Sequence, residues 1–178
     1  MPPVPFAKSW WVIPGELLAG CYPGATDPVA AKVKLAALVA ASMRTVICLQ
    51  EPDERSRDGQ PFAPYEALLI EAAREQGVDA KVLRFPIRDV DTPTPQLMQD
   101  ILDAIGAELH NGRAVYMHCW GGHGRTATVV GCWLVSRGLT GEEALRRITE
   151  LRDGHPELRR EPAPQMEKQR SMVRNWHR

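Results

Sequence analysis

A mostly parallel, twisted α/β sheet of four to five strands, with helices on both faces, is the fold this sequence predicts. Three observations lead there. Short apolar, β-branched runs alternate along the chain with longer helical patterns, the rhythm of βαβ units. The central runs TVICLQ (45–50) and AVYMHC (114–119) are apolar almost throughout rather than alternating, as strands buried on both faces are. Proline and glycine mark the starts and stops of the helical stretches.

Taken in order, residues 10–20 (WWVIPGELLAG) predict two short strands about a Pro-Gly turn. Asp27-Pro28 supplies an N-cap and a proline at the first helical position, opening a helix that runs to about residue 41. TVICLQ is a strand, and the polar stretch 51–64 a loop. The pattern YEALLIEAAREQ predicts a helix ending before Gly77. KVLRFPI (81–87) is the next strand, and the two prolines of RDVDTPTP hold the following segment irregular. Thr94-Pro95 opens a helix with Leu97, Ile101, Ile105 and Leu109 on one face. The strand at 114–119 leads to a helix over 125–137, closed by Gly138. Thr140-Gly141-Glu142-Glu143 is a capping box for a helix to about Asp153. A loop with prolines then precedes a last amphipathic helix near 164–176.

The 178 residues (1–178) are expected to form a single domain, since no repeat or low-complexity linker divides them. Formal charge is zero, so no global field draws nucleic acid or an acidic membrane, and any anion site must be local. No apolar run approaches the roughly 18–20 residues of a membrane span, and the N-terminal segment has no signal-peptide pattern. The four cysteines (Cys21, Cys48, Cys119, Cys132) are scattered without metal-ligand spacing. A cytoplasmic monomer with reduced thiols, no metal and no cofactor is the resulting expectation.

The stretch that carries chemistry is Met117-His118-Cys119-Trp120-Gly121-Gly122-His123-Gly124-Arg125-Thr126, set between a strand and a helix. Ligands bind at such junctions in α/β sheets. Gly121, Gly122 and Gly124 let the backbone curl, so that the N–H groups of residues 120–125 and the helix N-terminus form a nest for an oxyanion. The loop lacks the Gly-Lys-Ser/Thr ending of nucleotide-binding loops and carries a thiol instead. Inward amides, the helix dipole and Arg125 all favour a thiolate at Cys119, and Arg125 offers a planar fork for two phosphate oxygens. Such a thiolate can attack the phosphorus of a bound ester, forming a phosphocysteine that water then splits. The Thr126 hydroxyl can hydrogen-bond the sulfur or simply occupy the first helical turn. His118 can brace the loop from below, and His123 can tune substrate charge near neutral pH. Trp120 either packs under the loop or shapes its rim.

His118-Cys119-x5-Arg125-Thr126 resembles the signature of the cysteine-dependent protein tyrosine and dual-specificity phosphatases. FPIRDVDTPTP is similar to that family's general-acid loop, which implies Asp89 as the acid. Asp91 lies on the same loop and competes, but the Pro-Ile-Arg-Asp order favours Asp89. The loop's strand is expected to lie next to the Cys119 strand. PGELLAGCYPG and TVICLQE resemble the opening strands, and Pro164–Gln169 a segment that in some members positions water, which would give Gln169 that role. A solvent-facing helix position is the plainer reading of Gln169.

The resemblance implies a compact phosphatase hydrolysing phosphorylated proteins (phosphotyrosine, with phosphoserine or phosphothreonine) or small phosphate esters, with Glu51 or Arg55 flanking the site. Inositol phosphates or phosphoinositides are the alternative substrates, although the loop holds Trp120 and His123 where lipid-directed members often place lysines. A cysteine in an anion-binding loop is also compatible with a non-catalytic phosphate-binding module, and with sulfur or arsenate chemistry. Trp10, Trp11, Cys48 and Cys132 read as packing, and Cys21 as a conceivable partner for an oxidised Cys119.

Overall fold

The computed structural model describes residues 2–177. It contains strands β1 (Ser9–Ile13), β2 (Leu17–Gly20), β3 (Met43–Cys48), β4 (Lys81–Arg84) and β5 (Ala114–His118), with helices α1 (Pro28–Ala40), α2 (Glu66–Glu75), α3 (Pro95–His110), α4 (Arg125–Ser136), α5 (Gly141–Asp153), α6 (Pro156–Arg159) and α7 (Glu167–Arg174). The sheet order is β1-β2-β5-β3-β4. Only β1 and β2 pair antiparallel; β2, β5, β3 and β4 run parallel. A five-stranded, mostly parallel sheet is therefore present as expected.

Alternation along each strand divides the core into two layers. Trp10, Val12, Leu17, Ala19, Ile47, Val115 and Met117 face α3, α4, α5 and α7. Trp11, Leu18, Met43, Val46 and Tyr116 pack in the layer covered by α1 and α2. The register aligns Gly20, His118 and Cys48 side by side at the carboxyl ends of β2, β5 and β3, so three strands finish together at one edge.

Local signals set the helix starts. Asp27 accepts from the amides of Val29 and Ala30, and Thr94 accepts from that of Leu97, each with proline in the first turn. The Thr140–Glu143 capping box is formed in both directions. Three details depart from expectation. The buried stripe of α3 is Met98, Ile101, Leu102 and Ile105, with Leu97 and Leu109 at its margins. The strand β4 stops at Arg84, because Pro86 can donate nothing to a ladder. The short α6 falls where only a loop was read. No helix among the described residues is long and apolar enough to cross a membrane.

Candidate active site

The loop 119–124 lies between the end of β5 and the first residue of α4. Its tight course depends on Gly122, whose φ of +78° is left-handed and whose Cα faces the chain leaving β2. A Cβ there would stand 2.7 Å from the Gly20 carbonyl, well inside van der Waals contact, so no side chain fits. The Tyr22 amide donates to the Trp120 carbonyl at 2.8 Å, pinning the loop a second time. Among the described residues, no backbone N–H of 120–125 is spent on a protein acceptor, and the α4 N-cap, Gly124, has no side chain to offer. Six donors at a helix N-terminus are thus left for an anion.

Arg125 is buried at 1% exposure, and both of its terminal nitrogens are engaged. Nη1 donates to Glu54 Oε2 at 2.6 Å and to the Ile87 carbonyl at 2.9 Å. Nη2 donates to Glu54 Oε1 at 2.7 Å and lies 3.0 Å from Asp89 Oδ1. Burial alone would favour a neutral guanidine, but the Glu54 hydrogen bonds and the charges of Glu54 and Asp89 push its ionisation above the ordinary arginine value. Glu54, its side chain 6% exposed, fixes the Arg125 side chain, and of the two expected flanking residues Glu51 contributes through its amide, which donates to Glu54 Oε2 at 3.3 Å. Arg55 instead donates to the Gly59 carbonyl.

Asp89 and Asp91 are separated by what they touch. Asp89 is half exposed and faces Arg125. The Asp91 carboxylate pairs with Lys168 at 2.7 Å and accepts from the Thr92 amide, contacts that hold it below the usual carboxylate range, the Lys168 hydrogen bond foremost. Their loop reaches the site by a route the sequence did not suggest. Its strand, β4, pairs with β3 and is one strand removed from β5. The chain then follows the exit of β3, with Phe85 donating to the Cys48 carbonyl and Ile87 to that of Leu49.

Gln169 is fully buried, which overturns the solvent-facing reading. Its Nε2 donates to the Asp91 carbonyl at 3.0 Å, its Oε1 accepts from the Met166 amide at 3.0 Å, and it packs where a Cβ on Gly124 would lie, 3.1 Å away. One side chain thereby ties α7 to both the Asp89 loop and the Cys119 loop.

His118 is fully buried next to the loop. Nδ1 donates to the Cys119 carbonyl at 3.0 Å and Nε2 accepts from the Tyr65 hydroxyl at 2.6 Å, while the ring stacks on Tyr116. Complete burial, ahead of nearby positive charges, lowers its pKa to about 3. His123 cannot adjust charge near neutral pH, because burial and then Arg152 lower its pKa to about 4. Trp120 belongs to the rim: its ring meets Phe62 edge-on, and Arg57 lies over it at 5.8 Å. The Thr126 hydroxyl is buried with no hydrogen-bond partner among the described residues, so the bond to sulfur is not made here. Cys21, Cys48, Cys119 and Cys132 are all free.

These parts surround one pocket of about 400 Å³, floored by Cys119, Gly121, Gly124 and Arg125 and walled by Asp89, Val90, Trp120 and His123. Lys8 and Arg57 stand at its mouth. Sequence reading missed Glu54, Arg152 and these two cations. For Arg152 a signal existed: Ala144, Ile148 and Arg152 recur every four residues along α5 and are its buried face.

A family model described as "PTP-SAK: Swiss Army Knife protein, DSP-PTPase phosphatase domain" matches residues 7–174. The crystal structure of Tk-PTP in its active form is similar over 95% of both chains, at 25% identity and a TM-score of 0.66. The kinase associated phosphatase with its catalytic cysteine changed to serine aligns over 88% of this chain and 83% of that one (21% identity, TM-score 0.66). Among curated proteins, an uncharacterized protein of Methanocaldococcus jannaschii is 46% identical over 61 residues, 34% of this chain and 40% of that protein. The phosphatidylinositol 3,4,5-trisphosphate 3-phosphatase and protein-tyrosine-phosphatase PTEN1 of Arabidopsis thaliana is 25% identical over 112 residues, 62% of this chain. The chain spans well under half the length of these curated relatives, 26% for the Arabidopsis protein.

Proposed function

The chain belongs to the DSP-PTPase family of phosphatase domains, and from that premise we propose that it hydrolyses phosphate monoesters through a phosphocysteine at Cys119. The observation that carries this reading is the meeting of Cys119, Arg125 and Asp89 in one pocket whose loop amides are uncommitted. The ester phosphate sits on the amides of 120–125, two of its oxygens against Arg125. In the first step the Cys119 sulfur gives an electron pair to phosphorus as the bond to the leaving oxygen breaks. Asp89 passes its proton to that oxygen, since an alkoxide or phenolate leaves poorly near neutrality. In the second step water attacks phosphorus, Asp89 takes back a proton, and the sulfur departs as thiolate with inorganic phosphate released. The unpartnered Thr126 hydroxyl supports a role here, as a donor to the departing sulfur.

The Asp89–Arg125 contact gives binding an order. A phosphate oxygen arriving at Nη2 takes the place of the carboxylate 3.0 Å away, and the displaced Asp89 is then free to address the leaving oxygen. Glu54 stays on the other side of the fork throughout, so the guanidinium does not swing.

For substrate, we favour phosphotyrosine proteins, with phosphoserine and phosphothreonine as weaker ones. The wall of Trp120 and Val90 suits an aromatic leaving group, and the TpbA protein of P. aeruginosa, similar over 95% of this chain at 17% identity and a TM-score of 0.63, was crystallised with pTyr. A second reading rests on Lys8 and Arg57, neither paired with a carboxylate among the described residues. Two such cations suit a second phosphate, as on an inositol phosphate or phosphoinositide, and PTPMT1, which shares 19% identity and a TM-score of 0.65 over 92% of this chain, was crystallised with PI(5)P.

Hydrolysis of p-nitrophenyl phosphate without added metal tests the mechanism. Activity that vanadate inhibits and that Cys119→Ser abolishes is the expected result. An inert protein that still binds vanadate would make the pocket a binding module instead. A panel of phosphopeptides and inositol phosphates then separates the two substrate readings.

A further inference from the structure

His123 lies between two glycines in the loop, its imidazole laid along Gly121 so closely that a Cβ there would stand 2.8 Å from Cδ2. Behind it is Arg152, from the last turn of α5, whose Nη2 is 2.7 Å from His123 Nδ1. A guanidinium has donors only. Nδ1 must therefore accept, and the ring's one proton resides on Nε2. That N–H has no protein partner among the described residues, and the residue lines the pocket.

The same guanidinium is 5% exposed. Its other donors reach the carbonyls of Leu158 at 2.9 Å and Glu161 at 3.3 Å. Its Nε is buried without a partner, and no carboxylate among the described residues comes within ion-pair distance of it. A buried cation without a direct ion pair is costly, and this one, offset in part by the charge of Glu161, stands directly behind an anion cradle. Burial brings its ionisation down to about 10, which still leaves it charged at neutral pH.

We propose that Arg152 is a positioning residue that fixes His123 as an uncharged imidazole, its Nε2–H a fixed donor in the wall of the phosphate pocket. This rests on the reading of the pocket as a phosphate-ester site. The imidazole then donates to an oxygen of the ester beside the reacting phosphate, while the Arg152 charge adds to the potential that holds the dianion. The charged groups around His123 agree in sum. Arg152 from α5 and Lys8 before β1 oppose a second positive charge, and Glu161 from the segment after α6 favours one but is outweighed. The charge on His123 is consequently constant through the physiological range, a departure from the usual behaviour of an active-site histidine.

The test is side-chain nitrogen NMR of the histidines from pH 5 to 8, with the His123 signals identified by their loss in His123→Asn. In the wild type, His123 should remain in the neutral Nε2–H form throughout, and its Nε2–H signal should shift when vanadate is added. In Arg152→Gln its ionisation should move upward, part of the way toward the ordinary value of about 6.5, with burial still holding it below that value. The pH profile of kcat/KM for p-nitrophenyl phosphate should gain a step at the same pH, and Arg152→Lys, which keeps a cation, should remove it. A wild-type His123 that titrates above pH 5 or carries its proton on Nδ1 would overturn the inference, as would an Arg152→Gln spectrum identical to wild type. If Arg152→Gln does not fold, the wild-type spectra decide alone. A protein with the expected His123 spectra but no phosphatase activity would sink the function proposed above and leave this positioning role standing.

Discussion

Both carboxylate oxygens of Glu54 close on the guanidinium of Arg125, at 2.6 and 2.7 Å, with the two side chains 6% and 1% exposed. The parallel two-bond geometry leaves the fork no freedom to rotate. Removing the acid would leave the buried cation with only the half-exposed Asp89 beside it, a loss that runs up to about 3–5 kcal/mol. Glu54→Ala should therefore lower the urea midpoint by that order and cut kcat/KM at least tenfold, about 1.4 kcal/mol of transition-state binding. Wild-type stability in the variant would show that the pair does not hold Arg125 in solution.

Asp89 plays two parts that oppose each other, and Asp89→Asn separates them. As a proton donor its loss should reduce kcat on the order of a hundredfold for an alkyl or protein phosphate, and less for p-nitrophenyl phosphate, whose phenolate leaves unaided. As a carboxylate 3.0 Å from Nη2 it competes with the bound anion, so the same variant should bind vanadate a few-fold more tightly. The gain is kept small because Asp89 is half exposed and screened. Isothermal titration reads the second effect, and unchanged or weaker binding would remove the idea of a displaced carboxylate.

How much of this was legible beforehand follows from how local each signal is. The helix starts at Asp27-Pro28, Thr94-Pro95 and Thr140–Glu143 are written within four residues, and the Cys119–Arg125 loop within seven. Glu54 was not legible, because nothing in the mixed charges of 51–58 says which carboxylate turns inward; only the exit of β3 toward Arg125 decides it. The neighbourhood of the Asp89 loop was misjudged for the same reason, since strand order is a long-range property. Gln169 looks like a solvated position on a polar helix until packing places it on a buried face, whereas Arg152 continues the four-residue spacing of Ala144 and Ile148.

Gln169 holds the Asp89 loop at one remove, through the Asp91 carbonyl. Gln169→Ala leaves that carbonyl and the Met166 amide without their partner, worth about 1–3 kcal/mol in a buried setting. The consequence for turnover should depend on the leaving group. A looser loop delivers the Asp89 proton less well, so kcat for an alkyl phosphate should fall by a larger factor than kcat for p-nitrophenyl phosphate. Equal losses on both substrates would place the effect of Gln169 in the Cys119 loop, through its contact at Gly124, instead of in the acid loop.

His118 makes stability depend on pH in a calculable direction. Its folded pKa of about 3 lies far below the ordinary 6.5 because the ring is fully buried, with Nδ1 spent on the Cys119 carbonyl and Nε2 on Tyr65. The unfolded chain therefore takes up a proton below 6.5 that the native ring refuses. The stabilisation is complete above pH 6.5 and is lost as pH falls from there toward 3, at about 1.4 kcal/mol per pH unit. His123, lowered to about 4, acts in the same direction over the upper part of that window. Urea unfolding at pH 7.5, 6 and 5 should accordingly show a midpoint that is flat above pH 7 and drops steeply below 6. The drop should precede the carboxylate-driven acid losses, in which Asp91 and Glu108, held below their usual values in the native state, join only nearer pH 4. A midpoint constant between pH 7 and 5 would mean that His118 titrates in the native protein, and that the brace beneath Cys119 is open to protons.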